Sequence, residues 1–179
     1  KVKGKLDSLI VISNDHILNQ IDRLTNFNDA FALIDNTIGE AVRGMVDLIH
    51  TPGIVNIDFA DLRTIIKGGG LGMLGVGKGR GKDRAKEAAR QAISSPFLDF
   101  SIHDAKGVIF NVAGTESLAM SEISDVAKVI TEDISKDAAI IFGASQDSTL
   151  GSSVKVTVVA TGLKQENEEQ HLGVASAYT

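Results

Sequence analysis

The sequence predicts an α+β fold, an α/β sandwich in which helices pack on a mixed β-sheet and one long helix precedes that sheet. Apolar residues recur with a helical period over residues 28–49, which is long enough for one continuous helix. Further along, apolar segments with strand character alternate with segments of helical period. The strand segments are residues 71–77, 108–112, 140–143 and 154–160, and the helical segments are residues 83–95 and 121–134. Strands interleaved with helices in this order are typical of a mixed sheet covered by helices.

A short strand is also predicted before the long helix. Residues 9–12 form a continuous apolar run that ends in a polar loop at residues 13–15. This strand has no preceding partner in the sequence and the first residue is Lys, so we expect the chain to be a fragment of a longer protein. The long helix has Asp29 in its first turn, where the helix dipole favours a carboxylate, and it ends at the Pro-Gly pair of residues 52–53.

A second, short helix is predicted at residues 58–67, with Asp58 as its N-cap and Phe59 among its inward-facing residues. The helix of residues 83–95 has a face of alanines, which would let it lie close to a sheet. The last strand alternates between two faces, and its second face consists of Lys155, Thr157 and Val159. Because this second face includes a lysine and a threonine, we expect it to be partly exposed to water.

Composition excludes several classes of function. The 179 residues include no cysteine, which excludes disulfides, thiol catalysis and cysteine-bound zinc, and the four histidines show no metal-ligand spacing. A net charge of −5 and an aromatic content of 4% argue against nucleic-acid binding. No apolar run reaches the roughly 20 residues needed to cross a bilayer, so we expect a soluble, intracellular protein without direct membrane insertion. A basic cluster with acidic neighbours is interpreted as a solvated face; it comprises Lys78, Arg80, Lys82, Arg84, Lys86 and Arg90.

The glycine-rich segment at residues 68–79 contains two patterns associated with nucleotide binding. Gly70, Gly72 and Gly75 fit a dinucleotide fingerprint, and residues 72–78 fit a phosphate-binding loop except that a glycine stands where Ser or Thr should follow the lysine. Both patterns require a strand before the glycines and a helix at their end. Here a helix precedes them, so we interpret the segment as a strand whose missing side chains let a helix approach. An independent glycine-loop nucleotide binder remains the alternative.

Two side-chain constellations could carry chemistry. Asn56, Asp58 and Asp61 place an amide and two carboxylates at the start of the short helix. They are either ordinary helix-terminal residues or groups that activate a water or hold a metal-bound phosphate. Phe31 and Asp35 are four residues apart near the start of the long helix, so they are either its amphipathic edge or a ring and a carboxylate that recognise guanine.

Several motifs resemble a known family. Residues 6–15 (LDSLIVISND) are similar to a strand and loop usually written DTLIVIPND, with Ser13 in place of proline, and residues 52–61 are similar to the loop PGLxNxDFAD. Four further segments have the family's order and spacing, and they are residues 73–77, 92–96, 140–143 and 156–162. Over residues 5–163 the chain therefore resembles the FtsZ branch of the tubulin/FtsZ family of GTPases.

The resemblance implies a fold, an activity and roles for the constellations. It implies a mixed four-stranded sheet behind a core helix, in a GTPase that polymerises head-to-tail into the bacterial division ring. Asn56, Asp58 and Asp61 would act in trans, positioning and polarising the water that attacks GTP in the adjacent subunit and helping to hold the cation. Asn14, Phe31 and Asp35 would contact the base and ribose in cis.

The resemblance also implies a division of the chain. Residues 1–25 would end the nucleotide-binding domain, residues 26–67 would be the core helix and trans-acting loop, residues 68–162 the C-terminal activation domain, and residues 163–179 a mobile tail. The family's phosphate-binding motif GGGTGTG is absent from this sequence, so we expect the chain alone to be catalytically silent and to bind neither GTP, GDP nor Mg²⁺. The intact protein would be cytoplasmic at midcell, with copies of itself, division-ring regulators and membrane tethers as partners. The alternative is a stand-alone interaction or filament-capping module of the same fold without catalysis.

Overall fold

The computed structural model describes residues 6–10, 25–50, 53–94 and 102–163. Four α-helices lie in the described ranges, namely α1 (Phe27–His50), α2 (Phe59–Ile66), α3 (Arg84–Ile93) and α4 (Met120–Glu132). The strands are β1 (Ser8–Ile10), β2 (Gly53–Val55), β3 (Gly70–Gly79), β4 (Gly107–Gly114), β5 (Ala139–Gln146) and β6 (Val154–Thr161). Short 3-10 turns at Ile102–Asp104 and Ser148–Leu150 precede β4 and β6. The predicted helices and strands are therefore present, with ends that differ by a few residues; residues 11–12 of the first predicted strand and residue 95 of the helix predicted at 83–95 lie outside the described residues.

The strands form one six-stranded sheet in the order β1-β3-β6-β4-β5-β2. It is mixed as predicted, because β1–β3 and β4–β5 are parallel while the other pairs are antiparallel. The expected count of four strands is wrong. Four of the five predicted strands occupy the centre as β3 to β6. The strand predicted at residues 9–12 is β1, which pairs with β3 at one edge, whereas β2 was not predicted and pairs with β5 at the other. The three residues of β2 are too few for a sequence period to show that they join a sheet.

The glycine-rich segment is a strand, as interpreted from the sequence. Gly75, Gly77 and Gly79 alternate along β3 and face α3, where a Cβ atom would meet the carbonyl oxygens of Ala92, Ala88 and Arg84 respectively. Four residues of helix rise about 6 Å and two residues of strand about 6.6 Å, so the two elements stay in register over this length. The absent side chains therefore let α3 lie directly on the sheet, and a helix covers the segment that would otherwise have to bind phosphate.

Helices pack on both faces of the sheet, and its central strands are buried. One face packs against α3 and α4 in the main core, which includes Met73, Phe110, Val126, Ile130 and Val156. The other face holds a smaller cluster of Leu62, Ile65, Leu74, Ile109 and Val159. The expectation that the second face of β6 is partly wet is wrong for Thr157 and Val159, which are both buried. Helices α1 and α2 cover that face, and Lys155 at its edge pairs with Asp47 of α1 at 3.2 Å.

Part of the basic cluster has a structural role. The guanidinium of Arg84 donates to both carboxylate oxygens of Glu122, at 2.6 and 3.0 Å, and also to the carbonyl oxygen of Ser152 at 3.0 Å. These bonds join the start of α3 to α4 and to the loop before β6. The hydrogen bonds from Arg84 lower the pKa of the Glu122 carboxyl. Arg80 likewise donates from Nε to the hydroxyl of Ser153 at 2.9 Å.

The ends of the described region bear on two further expectations. Leu163 is buried and donates its N–H to the carbonyl oxygen of Leu71, so the first residue of the predicted tail belongs to the core. Residues 164–179, the rest of that tail, lie outside the described residues. Within residues 6–10, 25–50, 53–94 and 102–163, no helix is both long and apolar enough to span a membrane.

Candidate functional site

The loop between β2 and α2 is shaped by two of its own polar side chains. Oδ1 of Asn56 accepts a hydrogen bond from the backbone N–H of Gly53 at 2.7 Å, which closes the turn. Asp58 is the N-cap of α2, since its Oδ1 accepts from the N–H of Ala60 at 3.1 Å. Asn56 and Asp58 therefore hold the loop in one conformation, whatever else they do.

Asp61 differs from its two neighbours in this loop. Its side chain is exposed in the first turn of α2, and it makes no hydrogen bond or ion pair with the part of the chain that the structure describes. The positive end of the helix dipole favours a carboxylate at that position. The other carboxylate oxygen of Asp58, Oδ2, does not take part in the capping hydrogen bond. The loop can thus present carboxylate oxygens to a water molecule or to a hydrated cation.

These carboxylates do not form a complete metal site by themselves. Among the described residues, no group of three or more His, Asp or Glu side chains is arranged to hold a metal ion. A cation at this loop would therefore need further ligands from outside the described residues, for example phosphate oxygens.

Two exposed apolar side chains flank the loop in sequence, Ile54 of β2 and Phe59 of α2. Ile140 and Phe142 of β5 are also exposed, but Phe142 stacks on Phe110 of the main core, so these two lie on the opposite face of the sheet from α2. The inward orientation expected for Phe59 is wrong, because this ring is 63% exposed. Phe59 lies one turn before Leu62. Among the described residues of α2, Leu62 and Ile65 are buried against the sheet, whereas the first turn is exposed. An exposed aromatic ring beside charged groups is typical of a protein-contact surface, and the helical period of this segment did not indicate the exposure of Phe59.

The second constellation lies near the start of α1. Phe31 and Asp35 are both exposed and one helical turn apart. A second exposed ring, Phe27, lies next to Phe31 with a centroid distance of 4.5 Å and an interplanar angle of 43°. Phe27 was not expected at this site from the sequence, although its i, i+4 spacing to Phe31 would have identified it. Asn14, the third residue expected here, lies outside the described residues.

The two constellations belong to different segments of the chain, the first turns of α1 and the loop that follows its last residue. Asp35 and His50, the last residue of α1, are fifteen residues apart, which corresponds to about 22 Å along a helix axis. Gly53 follows shortly after that end and pairs with Ser145 of β5. Ser145 is level with Lys155, two strands away in the sheet. Lys155 in turn pairs with Asp47, near the same end of α1. The loop thus starts at the C-terminal end of α1, whereas the exposed rings are near its N-terminal end.

A cavity of about 630 Å³ lies where α1 crosses β3 and β6. Its lining includes Arg43, Asp47, Lys78, Asp147 and Lys155, so it carries charges of both signs. Hydrogen bonds from the hydroxyl and the N–H of Thr149 lower the pKa of the Asp147 carboxyl. None of Asn56, Asp58 and Asp61 lines this cavity, which is separate from the loop.

Known proteins share this fold. Residues 70–164 match the model of the FtsZ family, C-terminal domain. A structure of an empty FtsZ dimer from M. jannaschii is 36% identical, with a TM-score of 0.83 over 90% of this chain and 47% of that chain. CetZ2 from Haloferax volcanii, in a GTPγS-bound protofilament, is 12% identical with a TM-score of 0.69 over 95% of this chain and 50% of that chain. TubZ from Bacillus thuringiensis serovar israelensis, in GDP-form protofilaments, is 13% identical with a TM-score of 0.66 over 89% of this chain and 42% of that chain.

The last two likenesses show the fold alone, because their identity is low. The chain spans about half the length of the solved structures that it matches. The family model, in contrast, covers more than half of the chain and includes β3 through β6 together with α3 and α4. The chain belongs to the FtsZ family, and residues 70–164 are its C-terminal domain.

Proposed function

We propose that this chain is the C-terminal part of a tubulin-like GTPase that polymerises head-to-tail into the bacterial division ring and supplies the loop that triggers GTP hydrolysis in the adjacent subunit. The observation that carries the proposal is the exposed carboxylate pair of Asp58 and Asp61, which the loop presents at the start of α2 in a chain of the FtsZ family. The loop would serve a nucleotide bound to another subunit.

Within this proposal the three loop residues have different tasks. Asn56 holds the turn closed through its bond to Gly53, and Asp58 fixes the start of α2. The Asp61 carboxylate, which has no partner among the described residues, accepts a hydrogen bond from the attacking water, and the second oxygen of the Asp58 carboxylate assists it or contacts a hydrated cation. Mg²⁺ would neutralise charge on the phosphates, and the exposed carboxylates fit that role only together with the nucleotide. Positioning of this kind can lower a barrier substantially.

The guanine site would lie in cis at the other end of α1. The exposed ring of Phe31 offers a face for stacking, and the Asp35 carboxylate can accept hydrogen bonds from the ring N–H and the amino group of guanine. Asn14 would complete the contacts to the ribose. The phosphates would be bound by the half of the protein that this chain does not span.

The partner at the loop would be another copy of the protein. The exposed ring of Phe59, between Asp58 and Asp61, provides an apolar contact on which such a copy could dock. The M. jannaschii FtsZ structure is that of a dimer, and the CetZ2 and TubZ structures are those of protofilaments. The protein would act in the cytoplasm at midcell, with regulators and membrane tethers bound mainly through regions outside this chain.

The proposal can be tested by complementation. The reagent is M. jannaschii FtsZ in which the aspartates of its own corresponding loop are replaced by alanine, so that it binds GTP but lacks a functional loop. Adding this chain should restore GTP turnover, and a matched chain carrying Asp58→Ala and Asp61→Ala should not. Turnover that stays at baseline although the folded chain co-sediments with the partner would refute catalysis by the loop. If both chains instead reduce sedimentable polymer of unmodified FtsZ equally, the protein is the capping module without catalysis.

A further inference from the structure

The C-terminal end of α2 is hydrogen-bonded to a buried side chain of the sheet. The hydroxyl of Thr161, the last residue of β6, donates a hydrogen bond to the carbonyl oxygen of Ile65 at 3.0 Å. Thr161 is only 2% exposed and Ile65 lies in the smaller core cluster. This bond is between elements almost a hundred residues apart in the chain, so no local sequence signal indicates it.

That carbonyl has no partner within its own helix. The last four carbonyl groups of a helix lack an i+4 donor unless the following chain supplies one. After α2 the N–H of Lys67 bonds to the carbonyl of Arg63, and the N–H of Gly69 bonds to that of Ile66. The Ile65 oxygen therefore depends on the Thr161 hydroxyl, and it is buried where water does not replace that donor.

Thr161 is itself fixed in the middle of the sheet. It pairs with Gly72 of β3 on one side and with Gly107 of β4 on the other, and its carbonyl oxygen accepts from the N–H of Lys106 at 2.9 Å. The absence of a side chain at Gly107 is also required, because a Cβ there would lie 2.7 Å from Cγ2 of Ile65. The end of α2 therefore packs against the central strands β6 and β4, at the last residue of β6 and the first residue of β4.

The other end of the same helix carries the loop aspartates. Helix α2 has eight residues, about 12 Å, with Asp58 and Asp61 at its N-terminal end and Ile65 in its last turn. Because an α-helix this short moves as one body, a shift of its C-terminal end changes the position of both carboxylates. We propose that Thr161 is a positioning residue for Asp58 and Asp61, acting through α2; this inference rests on the proposed function of the loop.

The test uses the complementation assay as a titration. The full chain carrying Thr161→Val, which keeps the shape but removes the hydroxyl, is added in increasing amounts to the loop-deficient M. jannaschii FtsZ. The plateau of turnover should fall about tenfold, because small misplacements of catalytic groups cost rate, while the half-saturating concentration stays within about twofold. Thr161→Ser, which restores the donor, should recover the plateau. Partial unfolding would instead raise the half-saturating concentration and leave the plateau unchanged.

A matched control lies on the same strand and the same face. Thr157 is as buried as Thr161, but it faces Gly44 of α1 rather than α2. Thr157→Val should therefore leave the plateau within about twofold of the parent chain. A Thr161→Val plateau equal to that of the parent, or an equal loss in Thr157→Val, would overturn the inference.

Hydrogen exchange of the isolated chain gives a readout that does not depend on catalysis. In Thr161→Val the backbone amides of α2 should exchange at least about tenfold faster, while those of β3 and β4 keep their protection. Unchanged exchange in α2 would show that the bond does not hold the helix. A parent chain that fails to stimulate turnover while the exchange effect is present would refute the proposed function and leave the helix attachment established.

Discussion

The carbonyl oxygen of Ala88 on α3 lies where the side chain of residue 77 would begin, and residue 77 is a glycine on β3. This contact explains a segment whose glycines fit two nucleotide-binding patterns. In both patterns the glycines let backbone N–H groups approach a phosphate. In this protein they let a helix backbone approach a strand, and the ladder to β6 already engages the strand over Gly72–Gly79.

Substitution of Gly77 should be strongly destabilising. Gly77→Ala should lower the free energy of unfolding by about 2 kcal/mol or more, because α3 must move away from the sheet to admit a methyl group. Gly39→Ala is the matched control, since a Cβ at Gly39 of α1 meets nothing within 4 Å. It should raise stability by up to about 1 kcal/mol through helix propensity. Urea denaturation measures both, and an unchanged midpoint for Gly77→Ala would contradict the close packing.

The stability and catalytic roles of Asp58 should be separable. Asp58→Ala should cost about 1 kcal/mol of stability because it removes the N-cap of α2, whereas Asp58→Ser should keep the cap and cost little. Asp61→Ala should change stability by no more than about 0.5 kcal/mol, since Asp61 has no partner among the described residues. All three variants, Asp58→Ala, Asp58→Ser and Asp61→Ala, should fail to stimulate GTP turnover in the complementation assay. Full stimulation by Asp58→Ser would exclude a role for the carboxylate beyond capping.

The ion pair of Arg84 and Glu122 should make stability depend on pH. The hydrogen bonds from Arg84 lower the pKa of Glu122 in the folded protein. The stabilisation from the pair is therefore fully present above the ordinary pKa of 4.5, and it is lost as the pH falls through the lower folded pKa. Glu122→Gln should therefore cost about 2 kcal/mol near neutral pH. The difference from the parent chain should shrink as the pH falls below the ordinary value of 4.5 and through the lower folded pKa of Glu122.

Thermal melts across this pH range measure that effect. Asp125→Asn is the control, because Asp125 pairs with Lys86 at 3.7 Å through side chains that are more exposed. Its cost should stay below about 1 kcal/mol at every pH. A Glu122→Gln penalty that is constant with pH would show that the ionised carboxylate is not the stabilising form.

Nucleotides should not stabilise the chain by themselves. GTP or ATP with Mg²⁺ should shift the melting temperature by less than about 1 °C, because the glycine segment is a strand covered by a helix. If the chain did bind nucleotide, a hundredfold excess over Kd would stabilise it by about 2.7 kcal/mol and raise the melting temperature by several degrees. Differential scanning fluorimetry at millimolar nucleotide measures this. A shift of several degrees, abolished in a Lys78→Ala variant, would revive the independent nucleotide binder.

The sequence by itself determined the helices, the central strands and the family. Helical periods long enough to repeat, as in α1, and apolar strand segments, as in β6, are local properties that need no knowledge of the partner. The loop motif at residues 52–61 is equally local, so Asn56, Asp58 and Asp61 could be proposed as a site without coordinates. The role of Asp58 as N-cap was also predictable, since capping depends on residues two or three positions away.

Only the tertiary structure decided which surfaces those elements cover. The joining of β1 and β2 to the sheet depends on pairing with strands distant in sequence, and the three residues of β2 are too few to indicate even a strand. The burial of Thr157 and the exposure of Phe59 follow from where α1 and α2 lie over the sheet. The bond from Thr161 to Ile65 likewise joins residues that no sequence period relates. A residue's type and local period set which conformations it favours, whereas its burial and its partners are set by segments that reach it only when the chain folds.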